Sequence, residues 1–350
     1  MSDSPQSASV PPSMKVAIYR GRGEIDVEST STPTLAADDV LLRISHCGIC
    51  GTDLHLVMDG WGRPNTTGGH EYSGEVVALG SAVTGWEIGD AAVGGPGPRC
   101  GICEGCLAHR PSLCDASGTP GANDELGAFA EFKRVPAAQL IRIPDGLSLR
   151  DAALCEPLAV ALHGITQSGI AAGQRALITG AGPVGTLTLA ALRAKGVDDV
   201  TVSEPAQSRR DLARSIGATS VIEPDVIEIP PMPFTVVDNA YHVAFECSGK
   251  AVALRGALAQ LKKGGTLVIL GTGMEQPALD GNRVLLNELT VTGAYNYDEN
   301  GFAEALELLA SGRLAVDRLV DGRDVPLEGL ISSMRSLVAG EIAGKVLVRP

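Results

Sequence analysis

The run Ala176-Leu-Ile-Thr-Gly-Ala-Gly-Pro-Val-Gly185 carries an apolar strand straight into Gly-x-Gly-x-x-Gly and then into a helical pattern. Few folds accept such a junction. Gly180 makes the tight turn, Gly182 lets backbone approach a pyrophosphate, and Gly185 lets helix and strand pack closely. Pro183 and Val184 open the helix, whose unpaired N–H groups and positive dipole end suit an anion. Downstream, strand-like runs at 176–179, 200–203, 220–222, 243–247, 266–270 and 289–293 alternate with helical spacing at 183–196, 207–216 and 251–261. This rhythm predicts a doubly wound parallel sheet. The proline-rich stretch 224–233 interrupts it, so an irregular connection is expected there.

Glu204 follows Gly185 by 19 residues, at the end of the second strand. An acidic side chain there accepts hydrogen bonds from ribose hydroxyls and repels a 2′-phosphate, which favours NAD over NADP. Arg209 and Arg210 lie close enough to soften that preference. The plainer alternative is a solvated strand end.

The first 150 residues read differently. Short β-type runs lie at 16–19, 40–44, 72–79, 91–93 and 129–135, and helical patterns are scarce, so this part is expected to be β-rich. Ser148 with Asp151 three residues later resembles a capping box. Helical spacing then runs to about residue 170, with a break expected at Pro157. Helices near 301–311 and 328–339 and a strand at 346–348 close the chain. The expected division is a disordered tail at 1–13, rich in Ser and Pro, a first domain at 14–157, a dinucleotide domain at 158–294, and a return to the first domain at 295–350.

Cys100, Cys103, Cys106 and Cys114 fall within fifteen residues. Four thiolates so close can close a tetrahedral zinc site. Disulfides need an oxidising compartment, and no apolar segment of signal-peptide type is seen near the start. Bacterial ferredoxins share Cys-x2-Cys-x2-Cys, but here the fourth cysteine comes seven residues later and Asp115 follows it instead of proline. With 28 basic against 41 acidic residues the net charge is −13, which disfavours nucleic acid or an anionic membrane as partner. No apolar stretch reaches the roughly 18–20 residues of a membrane span. A cytoplasmic location is expected.

A second cluster of ligand types is spread along the chain: Cys47-Gly-Ile-Cys-Gly-Thr-Asp-Leu-His55, Gly69-His70-Glu71 and Cys155-Glu156-Pro157. Cysteine, histidine and carboxylate suit a catalytic zinc, which takes few protein ligands and keeps a position open. Taken singly, each has a bland reading: a core histidine, or a Glu-Pro helix start.

With these motifs the chain resembles the zinc-containing medium-chain dehydrogenases, in the branch with sorbitol and threonine dehydrogenases. The resemblance spans about residues 14–350. Its carriers are Gly48-Ile-Cys-Gly-Thr-Asp53, Gly69-His-Glu71, the four-cysteine lobe, Glu156-Pro-Leu158, the glycines of 180–185 and Glu246-Cys-Ser-Gly249. It implies a GroES-like catalytic domain beside a Rossmann domain. It implies two zinc ions per subunit, one structural on the four cysteines and one catalytic. Cys50, not Cys47, would bind the catalytic ion with His70, and Glu71 and Glu156 would bind it or stand just behind. Thr52 would take the proton of a substrate alcohol and His55 would pass it toward solvent. Leu270-Gly271-Thr272 and Ala294-Tyr-Asn296 would line the nicotinamide pocket. The implied reaction is hydride transfer between NAD and a secondary alcohol, cyclic polyol or sugar alcohol, or the corresponding ketone, by a homo-oligomer (dimer or tetramer).

Three departures stand out. Asn296 replaces the arginine that sorbitol dehydrogenases carry near the substrate, and the Gly-Arg of threonine dehydrogenases is missing nearby. His109-Arg110 replaces the glycine usual between the third and fourth cysteines. The rival readings are a zinc-free quinone or enoyl reductase of the same fold, a zinc-ribbon nucleic-acid module, and a catalytically inactive NAD-binding zinc protein.

Overall fold

The computed structural model describes residues 10–95, 97, 99–116 and 126–350. Two compact units emerge. One takes the described residues up to Glu156 with Arg323–Val338 and Val346–Pro350; the other takes Pro157–Gly322 with Ala339–Lys345. The sequence placed the chain's return at 295, whereas residues 295–322 belong to the second unit. Among the described residues, no helix is long and apolar enough to cross a membrane.

The first unit is antiparallel. Ser13–Gly21 pairs with Glu24–Ser31. A larger sheet runs in the order Leu347–Val348, Asp39–Gly48, Glu71–Leu79, Ala91–Gly94, Leu140–Arg142, and Phe132–Pro136 adds to Asp39–Gly48. Met14, Val16, Leu41, Val77, Ala130 and Phe132 form one of its cores. Glu24–Ser31 is not expected from the sequence because its apolar alternation stops after Ile25 and Val27 and the rest of its residues are polar.

The tail expected at 1–13 lies, for 1–9, outside the described residues. Beyond that, Val10 packs on the Met14 core, and the Pro11 and Pro12 carbonyls accept bonds from Thr32. Residues 10–13 are therefore part of the fold, and the disorder expected there is corrected.

The second unit is an all-parallel six-stranded sheet in the order Ser220–Ile222, Asp199–Ser203, Arg175–Thr179, Tyr241–Glu246, Leu261–Ile269, Thr290–Gly293. The order reverses between Arg175–Thr179 and Tyr241–Glu246, the position at which such sheets bind dinucleotides. Leu177, Ala244, Leu254, Ala257, Leu258 and Leu267 pack between sheet and helix.

The irregular connection holds a single short 3-10 turn, Pro224–Val226. Its carbonyls cannot all find backbone partners, so side chains serve. Buried Arg283 donates to the Pro230 and Thr235 carbonyls at 2.7 and 3.1 Å, and Asn287 to that of Pro233 at 2.7 Å.

Ser148 does cap a helix, accepting the Asp151 N–H at 3.0 Å, but that helix is only Leu149–Ala152. Pro157 does not break the next one. It sits in the first turn of Cys155–Ser168, where a missing N–H costs nothing.

Candidate functional site

Cys50 is the N-cap of the helix Gly51–Met58, and its backbone N–H donates to Asp53 Oδ2 at 2.9 Å. This reciprocal start of the helix fixes where the Cys50 thiol points. His70 ends the loop leading into the strand Glu71–Leu79, and Glu71 is that strand's first residue. Ligand atoms of Cys50, His70 and Glu71 all lie within 4.8 Å of one another. Glu71 is fully buried, and the space for its carboxylate comes from Gly48 on the neighbouring strand. A Cβ there would lie 2.0 Å from Glu71 Oε2.

Cys47 is buried and outside this donor group. The Glu156 carboxylate is also outside it, yet its charge reaches His70. Against the desolvation that opposes a charged ring, Asp53, the Cys50 thiol and Glu156 hold the His70 pKa well above 6.5. The site thus has soft and hard donors and a negative field, which fits zinc.

Asp53, to which the sequence motif assigns no role, is buried beside this group. One of its carboxylate oxygens is 3.8 Å from His70 Nδ1 and 3.4 Å from the Gly69 N–H. Burial pushes its carboxyl pKa up, while His70 and the Cys50 N–H pull it down. The available signal was an aspartate in a segment too apolar to leave its charge unpartnered.

Thr52 and His55 lie on the same helix, three residues apart. His55 Nδ1 is 2.7 Å from Asp59 Oδ2, and its ring stacks on Trp61 at 4.9 Å between centroids. Neither Asp59 nor Trp61 was singled out from the sequence.

The four-cysteine lobe closes on itself. All four sulfurs lie within 4.8 Å, with Cys100 Sγ 4.0 Å from Cys106 Sγ and 3.8 Å from Cys114 Sγ. A tetrahedron with Zn–S bonds of about 2.3 Å has edges of about 3.8 Å, so the spacing suits one zinc ion. Among the described residues, none of the eight cysteines is joined in a disulfide. Backbone N–H groups aim at the sulfurs: those of Cys106 and Asp115 lower the Cys103 thiol pKa to about 6. Burial raises that of Cys106 to about 12. His109 takes a left-handed φ of 55°, a conformation glycine adopts at less cost.

In the second unit, Gly182 is the N-cap and Pro183 the first residue of the helix Pro183–Ala194, and Val184 lies in its first turn. Gly180 has φ 95°, and a Cβ on Gly185 would lie 1.9 Å from the Gly180 carbonyl oxygen, so helix and turn meet where only glycine fits. The Leu270 and Gly271 N–H groups donate to the Glu246 carbonyl at 2.8 and 2.9 Å, which holds the 270–272 turn, with Thr272, beside the 246–249 turn.

Glu204 is buried rather than solvated. Its carboxylate accepts the Ala181 N–H at 2.8 Å and the Ala206 N–H at 2.9 Å, tying the glycine turn to the end of the second strand. Arg210 is also buried, donating to the Glu204 and Pro205 carbonyls and pairing with Glu223 at 2.9 Å. It is committed to the scaffold. Arg209 reaches the Ile342 carbonyl at 3.4 Å.

Comparison with known proteins adds three findings. Residues 36–145 match the alcohol dehydrogenase GroES-like domain, and residues 183–311 match the zinc-binding dehydrogenase domain. The chain is 33% identical to a sorbitol dehydrogenase of Bacillus subtilis (strain 168), over 89% of this chain and 90% of that protein. Among solved structures it superposes with TM-score 0.85 at 35% identity on a Sinorhizobium meliloti 1021 protein described as a zinc-binding dehydrogenase and bound to NADP, covering 97% and 99% of the two chains. It superposes with TM-score 0.84 at 30% identity on the 2R,3R-butanediol dehydrogenase of Bacillus subtilis, covering 96% and 99%.

Proposed function

Because the chain belongs to the zinc-dependent medium-chain alcohol and polyol dehydrogenases, we propose that it oxidises a secondary alcohol, cyclic polyol or sugar alcohol with NAD, or reduces the corresponding ketone. The observation that carries this reading is the donor group of Cys50, His70 and Glu71. The relatives named sorbitol and butanediol dehydrogenases support the substrate class. Two zinc ions per chain follow from two donor groups of different composition, one mixed and one all thiol.

Bound at these residues, zinc supplies a Lewis acid that makes a hydroxyl proton easier to remove, and the nicotinamide supplies the hydride acceptor. Cys50, His70 and Glu71 hold the metal. Glu156, whose charge is felt at His70, serves as an exchangeable carboxylate. Asp53 orients His70 from behind, as carboxylates commonly do for metal-binding imidazoles. Thr52 accepts the substrate proton at Oγ1, and His55 carries it away at its ring. The helix Pro183–Ala194 presents its N-terminus to the pyrophosphate, and Leu270, Gly271 and Thr272 border the nicotinamide. Glu204 serves the ribose: a carboxylate has about four acceptor positions, and two backbone N–H groups take two of them.

The test combines metal analysis with an NAD⁺-coupled screen of sorbitol, xylitol, (2R,3R)-butanediol and L-threonine. The expected result is two zinc ions per chain and NAD⁺ reduction with at least one polyol or diol. Zinc-replete protein inert toward every alcohol and ketone offered, with either cofactor, would refute the proposal.

A further inference from the structure

The helix Gly51–Met58 carries Thr52 and His55, and Asp59 is its C-cap. Positions i, i+3 and i+7 share one helix face. A hydroxyl, an imidazole and a carboxylate therefore stand in a row. The 2.7 Å contact joins His55 Nδ1 to Asp59 Oδ2. A carboxylate offers acceptors alone, so Nδ1 carries the proton of that bond.

Gly60, with φ 82°, then reverses the chain. The Trp61 N–H donates to the His55 carbonyl at 3.3 Å, and the indole lies against the imidazole at an interplanar angle of 23°. The ring is gripped on one edge and one face, with 19% of the His55 side chain exposed. The ordinary alternative is a helix-end ion pair, which would need neither the stacked indole nor a particular tautomer.

We propose that Asp59 is a positioning residue for proton transfer: by accepting Nδ1–H it sets the His55 tautomer in which Nε2 is the basic nitrogen that receives the proton handed on from Thr52. The inference rests on the relay role given to His55 above. The identity of the ring nitrogen that stays protonated is set by the bond it makes, the same logic by which a buried aspartate orients the histidine of a hydrolase triad. Losing Asp59 lets the ring turn over and populate the unproductive tautomer.

Two measurements test this. In ¹⁵N-histidine-labelled protein at about pH 8, where an ordinary imidazole is neutral, two-bond ¹H–¹⁵N correlation spectra report which nitrogen is protonated. The ring missing from His55→Gln identifies His55. It should be Nδ1-protonated in the native protein and in Asp59→Glu, and shift toward the Nε2-protonated pattern in Asp59→Asn. An unchanged pattern in Asp59→Asn overturns the proposal. The second measurement is kcat/KM for the fastest substrate of the screen in Asp59→Asn, His55→Gln and the double variant. Asp59→Asn should lose about 10–100-fold, and the double variant should be no slower than His55→Gln, because Asp59 acts through His55. Equal losses on both backgrounds overturn the proposal. Full activity of His55→Gln refutes the relay reading itself, and with it the role of Asp59, even if the tautomer switch is seen.

Discussion

Replacing Glu204 by alanine removes an acceptor from two backbone N–H groups at once, at 2.8 and 2.9 Å in a buried setting. Hydrogen bonds to a charged acceptor contribute about 1.5–3 kcal/mol each. The lower figure applies if water enters the space left behind, so the loss is about 3 kcal/mol for the pair. In a unit of 150–250 residues, each kcal/mol moves Tm by about 2–4 °C, giving a fall of about 6–12 °C. Glu204→Gln keeps the shape and one acceptor oxygen and should recover about half of it. The assay is thermal unfolding of cofactor-free protein, followed by kcat/KM with NAD⁺ and NADP⁺. Both variants remove the negative charge that would face a 2′-phosphate, so the NAD⁺/NADP⁺ ratio should fall, by tenfold or more if the loss reaches about 1.4 kcal/mol. An unshifted Tm in Glu204→Ala would refute the claim that the carboxylate ties turn to strand. An unshifted cofactor ratio would refute its ribose role. The two claims stand or fall separately.

Cys103→Ser should reduce zinc from two ions to one per chain and lower Tm, while the folded fraction keeps its turnover, since a structural zinc contributes folding energy directly; an unshifted Tm with lost turnover would contradict that. Cys50→Ala should abolish activity and lose the mixed-site zinc. Glu156→Ala should retain about 1–10% of activity and recover in part with added zinc, as expected of a carboxylate near the ligands rather than among them; wild-type activity without added zinc would return Glu156 to a plain helix start. Burial lowers the pKa of His46 from 6.5, more than its contact with Asp324 at 3.2 Å raises it. The folded state then binds fewer protons than the unfolded one as pH falls through 6.5, so this contribution to stability is lost on acidification. His46→Gln should flatten the stability–pH curve just below 6.5, and a curve of unchanged slope in chemical denaturation would count against it.

Features set by neighbours along the chain could be read from the sequence. The strand–turn–helix at 176–194 follows from period, glycine spacing and the helix-opening proline, all local. The thiol cluster was legible for the same reason: its four donors come from fifteen consecutive residues, so their spacing bounds their geometry. The irregular crossover announced itself by its prolines, although not by Arg283 and Asn287, which supply its partners from about 50 residues away.

What required the tertiary structure was pairing at a distance. Spacing alone left Cys47 and Cys50 as equal candidates; only the fold brings the Cys50 sulfur within 4.8 Å of the His70 and Glu71 donor atoms and leaves Cys47 outside that group. Spacing from Gly185 marked Glu204 for the ribose but not for its bond to the backbone, since the Ala181 N–H that donates to it lies 23 residues earlier. Asp53 and Asp59 could be seen as residues but not as partners. A strand or helix records its pattern in its own residues, whereas a buried carboxylate is defined by whatever donors the fold brings to it, and those donors leave no periodic trace in the chain.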